Sequence, residues 1–256
     1  VANKVYKYWG NSNVLCYNMS IIQALKSEAK KLGNFLIHRA YINPKNEEEL
    51  IKLFNKFYYD SRTFGKTWEN TYWGGVKVQK CPLDLWVYQE ILYETRPDII
   101  IECGTFNGGS ALFLANVCDM LNHGKILSID ILDRDNKPKH KRINYLIGSS
   151  TSLEIVEKVK NIIGSMKKIL IILDSDHRKD HVLNELMIYS ALVSKGSYLI
   201  VEDTNLNGHP VAPEYGPGPM EAINEFLFKN KDFKIDKSRE KFYITFNPRG
   251  YLLKIK

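Results

Sequence analysis

From residue 82 onward the chain alternates short apolar runs with longer amphipathic stretches, and no other feature constrains its fold as strongly. Residues 98–102 read Asp-Ile-Ile-Ile-Glu and residues 169–173 read Ile-Leu-Ile-Ile-Leu. Strands this apolar bury both faces, which places them inside a layered structure. Further strand patterns fall at 125–130, 143–147 and 197–201, with helical periodicity at 83–94, 110–121, 152–163 and 182–192. Strands separated by helices pair in parallel, so the pattern predicts an α/β core with a parallel sheet covered on both faces. Pro97 is the stop between the first helix and the first buried strand.

The two ends of the chain differ from this core. Residues 220–228 read as a helix, and residues 233–235, 241–246 and 251–255 alternate like strands, with Asn247-Pro-Arg-Gly250 as the turn of a terminal hairpin. An antiparallel strand at the sheet edge is the expected outcome. Residues 1–75 are aromatic and irregular, with helical patterns at 21–32 and at 47–58, where Glu47, Glu48 and Glu49 suit a first helical turn. The division expected is therefore a helical, irregular N-terminal appendage at 1–75 and a catalytic domain at 76–256.

Composition excludes several classes. With 256 residues, 44% hydrophobic and 25% charged, the chain is long enough for a sizeable core. Cys16, Cys81, Cys103 and Cys118 form no C-x-x-C pair, which argues against zinc ribbons and disulfide scaffolds. The longest aliphatic runs fall short of the roughly 18 residues that a membrane helix needs. The first residues lack a basic start followed by an apolar stretch, so a reducing cytoplasm is the expected compartment. Net charge is +7, but the basic run Lys137-Pro-Lys-His-Lys-Arg142 has no interleaved aromatics, and nucleic acid is not an expected partner.

Two motifs carry chemistry. The first is Ile101-Glu-Cys-Gly-Thr-Phe-Asn-Gly-Gly-Ser110, where a strand ends in a glycine-rich turn that leads into a helix. Ligands of parallel sheets bind at the carboxyl ends of strands, and glycine lets backbone approach them. The spacing is neither G-x-G-x-x-G nor a P-loop, which disfavours a pyrophosphate. Glu102 at the end of one strand and Asp130 at the end of the next suit a cofactor with an amino-acid end and a ribose, and S-adenosylmethionine has both. A tight turn and a strand-terminal acid are the plainer alternative for each motif alone. The cofactor candidates are Glu102, Gly104, Thr105, Asn107, Gly108, Ser110, Asp130, Ser149 and Asp174.

The second motif pairs Asp174-Ser-Asp-His177 with Glu202-Asp203, at the ends of two later strands. Carboxylates gathered on one sheet edge repel one another unless a cation joins them, and an all-oxygen set of Asp174, Glu202 and Asp203 suits magnesium or another hard divalent ion. His177 is the candidate base beside it. His181, one turn on, gives His-Arg-Lys-Asp-His, but a zinc pair there would leave the glycine loop and Asp130 without a role, so His181 is expected to pack or hydrogen-bond. Thr71-Tyr-Trp-Gly-Gly75 reads as a lid or as packing against the sheet, and Glu214 to Pro219 as a rigid loop on the substrate side.

Taken in order, Ile-Glu-Cys-Gly-Thr with Gly-Gly-Ser-Ala, Asp174-Ser-Asp-His177 with His181-Val, Gly196-Ser-Tyr-Leu-Ile-Val-Glu-Asp203 and Gly216-Pro-Gly-Pro followed by Ala222 resemble a known group. It is the methyltransferase-fold family of the cephalosporin hydroxylases, rhamnosyl O-methyltransferases and macrolide-sugar O-methyltransferases, and the match runs from about Trp73 to the carboxyl end. The resemblance implies a Rossmann-like class I methyltransferase, with a mostly parallel seven-stranded sheet and an antiparallel edge strand. It implies Glu102 and Gly104 at the methionine part of S-adenosylmethionine, Asp130 at the ribose, Asp174, Glu202 and Asp203 on Mg²⁺ or another divalent ion, and His177 as general base. Where methyltransferases often place Gly-Asp near the adenine, this chain departs with Gly148-Ser149-Ser150. The expected activity is metal-dependent O-methylation of a sugar hydroxyl on a surface glycan or glycosylated metabolite, by a homo-oligomer acting on a small-molecule or glycan acceptor. The alternatives are an iron oxygenase, disfavoured because no His-x-Asp occurs in the chain, and a non-catalytic glycan-binding module on the same fold.

Overall fold

The computed structural model describes residues 22–33, 44–61 and 63–256, which fall into two units, Val1–Ile51 and Lys52–Lys256. In the first unit residues 22–33 form helix α1. Residues 1–21, which include Cys16 and the irregular start of the expected appendage, lie outside the described residues, as does Ile21 of the helix expected at 21–32. Helix α2 (Pro44–Tyr59) ends within the second unit, which also takes in residues 60–75.

Within the second unit a small antiparallel pair, β1 (Tyr72–Trp73) and β2 (Val76–Lys77), precedes helix α3 (Pro82–Thr95). Proline in the first turn starts α3 without losing a hydrogen bond, and Arg96 closes it in a left-handed conformation just before Pro97. Then follow β3 (Ile99–Cys103), α4 (Gly109–Met120), β4 (Lys125–Asp130), β5 (Ile143–Ile147), α5 (Leu153–Ile163), β6 (Ile169–Leu173), α6 (Lys179–Tyr189), β7 (Tyr198–Val201), α7 (Pro219–Lys229), β8 (Phe233–Ile235) and β9 (Tyr251–Lys254). Ser152 caps α5 by accepting from the Ile155 amide. No helix among the described residues is long and apolar enough to cross a membrane.

Seven strands form one sheet in the order β5-β4-β3-β6-β7-β9-β8, the first five parallel and β9 antiparallel to both its neighbours. The antiparallel strand thus lies one place in from the edge. Alternation along β3 divides the core between the two faces. Ile99, Ile101 and Cys103 pack with Val159, Leu186 and Phe226 of α5, α6 and α7, while Ile100 packs with Tyr88, Ile91 and Leu114 of α3 and α4. Each such buried aliphatic side chain contributes roughly 1.5–3 kcal/mol. Cys81, Cys103 and Cys118 are free, buried thiols.

One expected strand is absent. Residues 241–246 are turn and coil, and the terminal hairpin is instead β8 paired with β9. The polar groups of this segment bond a buried side chain rather than a ladder: Asp84 accepts from the Thr245 hydroxyl at 2.6 Å and from the Phe246 amide at 2.8 Å. Its apolar alternation reflects packing of Phe246 against Tyr58, Tyr59 and Trp68.

Candidate active site

The chain runs outward from β3 to β4 and β5, then returns to β6 on the other side of β3, so the crevice above the ends of β3 and β6 is where strand order reverses. That is the place where open α/β sheets bind ligands. A cavity of about 450 Å³ opens there. Of the cofactor candidates, Gly104, Thr105, Ser110, Asp130, Ser149 and Asp174 line it.

Glu102, Asn107 and Gly108 do not form its wall. A Cβ on Gly108 would meet Pro138 and the Tyr145 hydroxyl within 3 Å, so this glycine lets α4 approach the β4–β5 loop rather than a ligand. Glu102 is fully buried beneath the loop, where one oxygen accepts from the Ser128 hydroxyl at 2.6 Å and the other lacks a donor in hydrogen-bond geometry, although the Ser110 hydroxyl stands near the carboxyl. Burial pushes its carboxyl up to about 7, against the pull of Lys80. A buried oxygen lacking a donor fits a site completed by a ligand's ammonium.

Asp130 shapes the rim as well as facing the cavity. Its carboxylate accepts from the backbone amides of Thr105 at 3.1 Å, Phe106 at 2.8 Å and Leu132 at 2.9 Å. These bonds fix the glycine loop, and the remaining lone pairs can accept from ribose hydroxyls. Ser149 and Ser150 stand on the same wall, backed by Glu185, which accepts from the hydroxyls of Ser150 and Ser175 at 2.5 and 2.7 Å.

The acidic motifs meet next to this cavity. His177 Nε2 lies 3.3 Å from an oxygen of Asp174 and 3.3 Å from one of Asp203. One ligand atom from each of these three residues falls within 4.8 Å of the others, the single such metal-binding arrangement among the described residues. Asp203 reaches it from a left-handed backbone conformation, with its amide bonded to the Asn247 side chain. Glu202, expected beside Asp174 and Asp203 on the ion, is turned elsewhere: Oε1 accepts from Lys80 Nζ at 2.5 Å and from the Tyr88 hydroxyl at 2.6 Å.

Charge explains the titration of this cluster. Burial alone would lower the His177 pKa, but Asp203 and Asp174 outweigh it and raise the imidazole to about 9. Burial, with Asp174 and Asp203 adding repulsion, lifts Glu202 to about 8 although Lys80 opposes the shift. Asp174 moves the other way, because Lys80 and His177 overcome the burial penalty. Two carboxylates that hold an imidazolium and an ammonium as counter-charges also fit a hard divalent ion, with oxygen donors leading.

Other expectations resolve as follows. His181 does not join His177 in this cluster; its Nε2 lies 3.1 Å from the Ser175 hydroxyl and the side chain lines the cavity. In the basic run Arg142 and Lys141 pair with Asp119, which His140 also contacts, and Lys137 pairs with Asp133. Trp73 packs edge-on against Phe113 and donates to Asn116, which makes the 71–75 segment a brace for α4. The Pro/Gly-rich loop bonds the start of α6 through Lys179 N to Pro217 O at 3.1 Å. Lys80, Tyr88 and Asp84 carried no sequence signal.

The family model described as Rhamnosyl O-methyltransferase/CmcI matches residues 65–255. The chain belongs to this family. It is 40% identical over 215 residues to the rhamnosyl O-methyltransferase of Mycobacterium leprae, spanning 81% of this chain and 91% of that protein. Against the rhamnosyl O-methyltransferase of Mycobacterium bovis it is 40% identical over 209 residues, spanning 78% and 83%. Among solved structures, an apo-structure of CmcI superposes with a TM-score of 0.59 at 24% identity, covering 73% of this chain and 77% of that one. A CmcI structure with Mg and SAM gives 0.59 at 22% identity, covering 73% and 78%, and both share the fold. The rhamnosyl O-methyltransferase/CmcI family member described here is an S-adenosylmethionine-dependent O-methyltransferase. One histidine beside two carboxylates also differs from the two-histidine, one-carboxylate set of an iron oxygenase.

Proposed function

We propose that this enzyme moves the methyl group of S-adenosylmethionine to a sugar hydroxyl, on a surface glycan or a glycosylated metabolite, with a divalent ion such as Mg²⁺ held at the acid cluster. One observation carries this reading: Asp174 belongs both to the wall of the cofactor cavity and to the cluster with His177 and Asp203. The cavity that would take the methyl donor and the acids that would hold the ion thus share one residue. The rhamnosyl O-methyltransferase relatives support a deoxysugar acceptor.

Asp174 and Asp203 would hold the ion, with Glu202 as a further oxygen donor whose Oε1 is shared with Lys80 and Tyr88. When bound, the ion supplies positive charge that stabilises the acceptor oxygen as its proton leaves. His177 takes that proton at Nε2, which faces both carboxylates. In the ion-free protein the same carboxylates keep His177 protonated to about pH 9, and neutralising them frees it to act as a base at neutral pH. Glu102 and Ser110 would meet the methionine end, Asp130 the ribose, and Ser149 the adenine. The donor methyl is already activated, so the protein contributes chiefly position. The buried free thiols accord with a reducing cytoplasm, and the active form is proposed to be a homo-oligomer.

Calorimetric titration with S-adenosylmethionine, with and without Mg²⁺, followed by methyl transfer to rhamnosyl acceptors, tests the reading. Binding in the micromolar range and ion-dependent turnover are expected. Absence of cofactor binding under both conditions overturns it.

A further inference from the structure

Three neighbouring strands, β3, β6 and β7, each present an acid at or just beyond the carboxyl end: Glu102, Asp174 and Glu202. Into this edge projects Lys80, from the segment between β2 and α3. Its side chain is 4% exposed, and Nζ donates to Asp174 Oδ2 and Glu202 Oε1, both at 2.5 Å. Burying an ammonium this deep is unfavourable unless its partners offset the lost hydration. A buried ion pair serving only stability is often replaceable by apolar side chains. Here the partners are the same carboxylates that would hold the divalent ion.

The two arrangements exclude each other in part. Asp174 gives one oxygen to Lys80 and the other to His177, and Glu202 Oε1 is already shared between Lys80 and Tyr88. An ion drawn to these acids would therefore share Asp174 and Glu202 with the ammonium. We propose that Lys80 is the resident counter-cation of the acid cluster and competes with the divalent ion for Asp174 and Glu202, so that this lysine sets the enzyme's ion affinity. The consequence is an enzyme whose acids stay together without the ion and which takes it up against the field of a buried ammonium. This rests on the ion reading above.

The test uses Mn²⁺ as a probe, with bound and free ion separated by electron paramagnetic resonance and melting followed by calorimetry, on wild type, Lys80→Met and Lys80→Gln. Removing a unit charge from beside the ligands should tighten Mn²⁺ binding by about tenfold or more. Mn²⁺ should also raise the melting temperature of Lys80→Met more than that of wild type, because one cation replaces the other. Folding of a variant only in the presence of Mn²⁺ supports the proposal, and so does Mn²⁺ binding by the variants alone. Equal or weaker Mn²⁺ affinity in folded variants overturns it while leaving the ion site standing. Failure of both variants to fold even with Mn²⁺ overturns it too, and absence of Mn²⁺ binding in all three proteins removes the ion reading with it.

Discussion

Gly104 and Asp174 touch through their backbones: a Cβ on residue 104 would lie 1.8 Å from the Asp174 carbonyl oxygen. The ends of β3 and β6 are drawn together there by the Asp174 amide, which donates to Cys103 O at 2.7 Å. Residue 104 also has a φ of +103°, a conformation that side chains disfavour. The glycine in this loop is thus what lets Asp174 reach both the cavity and the cluster with His177 and Asp203.

Gly104→Ala should therefore do more than block a ligand. Steric displacement plus backbone strain should cost about 3 kcal/mol or more in denaturant unfolding. Because Asp174 moves with it, both S-adenosylmethionine affinity and divalent-ion affinity should fall. A variant with wild-type stability and intact ion binding would contradict this geometry.

His177 gives a pH signature in chelated, ion-free buffer. Its folded pKa of about 9 exceeds the unfolded 6.5, so the protonated form stabilises the fold. That contribution is complete below pH 6.5 and is lost as pH rises through 9. The stability gap between wild type and His177→Gln should be about 3 kcal/mol near pH 6 and close toward pH 10. A gap that does not change with pH would show that the carboxylates do not hold the imidazole.

Much of this was legible in the sequence because its causes are local. The runs at 98–102 and 169–173 bury both faces, so their residue types alone specify interior strands, and the glycine loop and acidic strand ends pointed to the sheet edge where the candidate site lies. Lys80 was not legible, since its partners lie 94 and 122 residues away and nothing beside it in Val-Gln-Lys-Cys-Pro marks a buried cation. Nor was the loss of the strand at 241–246, whose alternation satisfied the pattern while its polar groups went to Asp84. Glu202 was correctly seen as a strand-end acid, but which cation it faces is decided by distant residues.

Asp84 gives a test of that terminal segment. It is buried in the first turn of α3 and also accepts from the Tyr251 hydroxyl at 2.9 Å. Burial pushes its carboxyl up to about 6, even though Thr245, Phe246 and Tyr251 all donate to it. The folded state therefore holds a proton that the unfolded chain has lost between about pH 4 and 6, and stability falls across that window as pH rises. Asp84→Asn should flatten this slope, so that relative to wild type the variant gains about 3 kcal/mol between pH 4 and pH 7. Parallel pH profiles for the two proteins would refute the shift.

The shared position of Asp174 makes cofactor and ion binding separable by substitution. Ser149 lines only the cofactor cavity, Asp203 only the ion cluster, and Asp174 both. Ser149→Ala should weaken S-adenosylmethionine by several-fold, about the worth of one neutral hydrogen bond, with Mn²⁺ affinity unchanged. Asp203→Asn should lower ion affinity about 100-fold and abolish turnover at low Mg²⁺ while cofactor affinity holds. Asp174→Asn should impair both, and it also removes one of the two acids paired with Lys80, so it should be the least stable of the three. Calorimetric titrations of both ligands on each variant decide the matter. If Asp203→Asn and Asp174→Asn give the same pattern, the cavity and the cluster do not meet at Asp174.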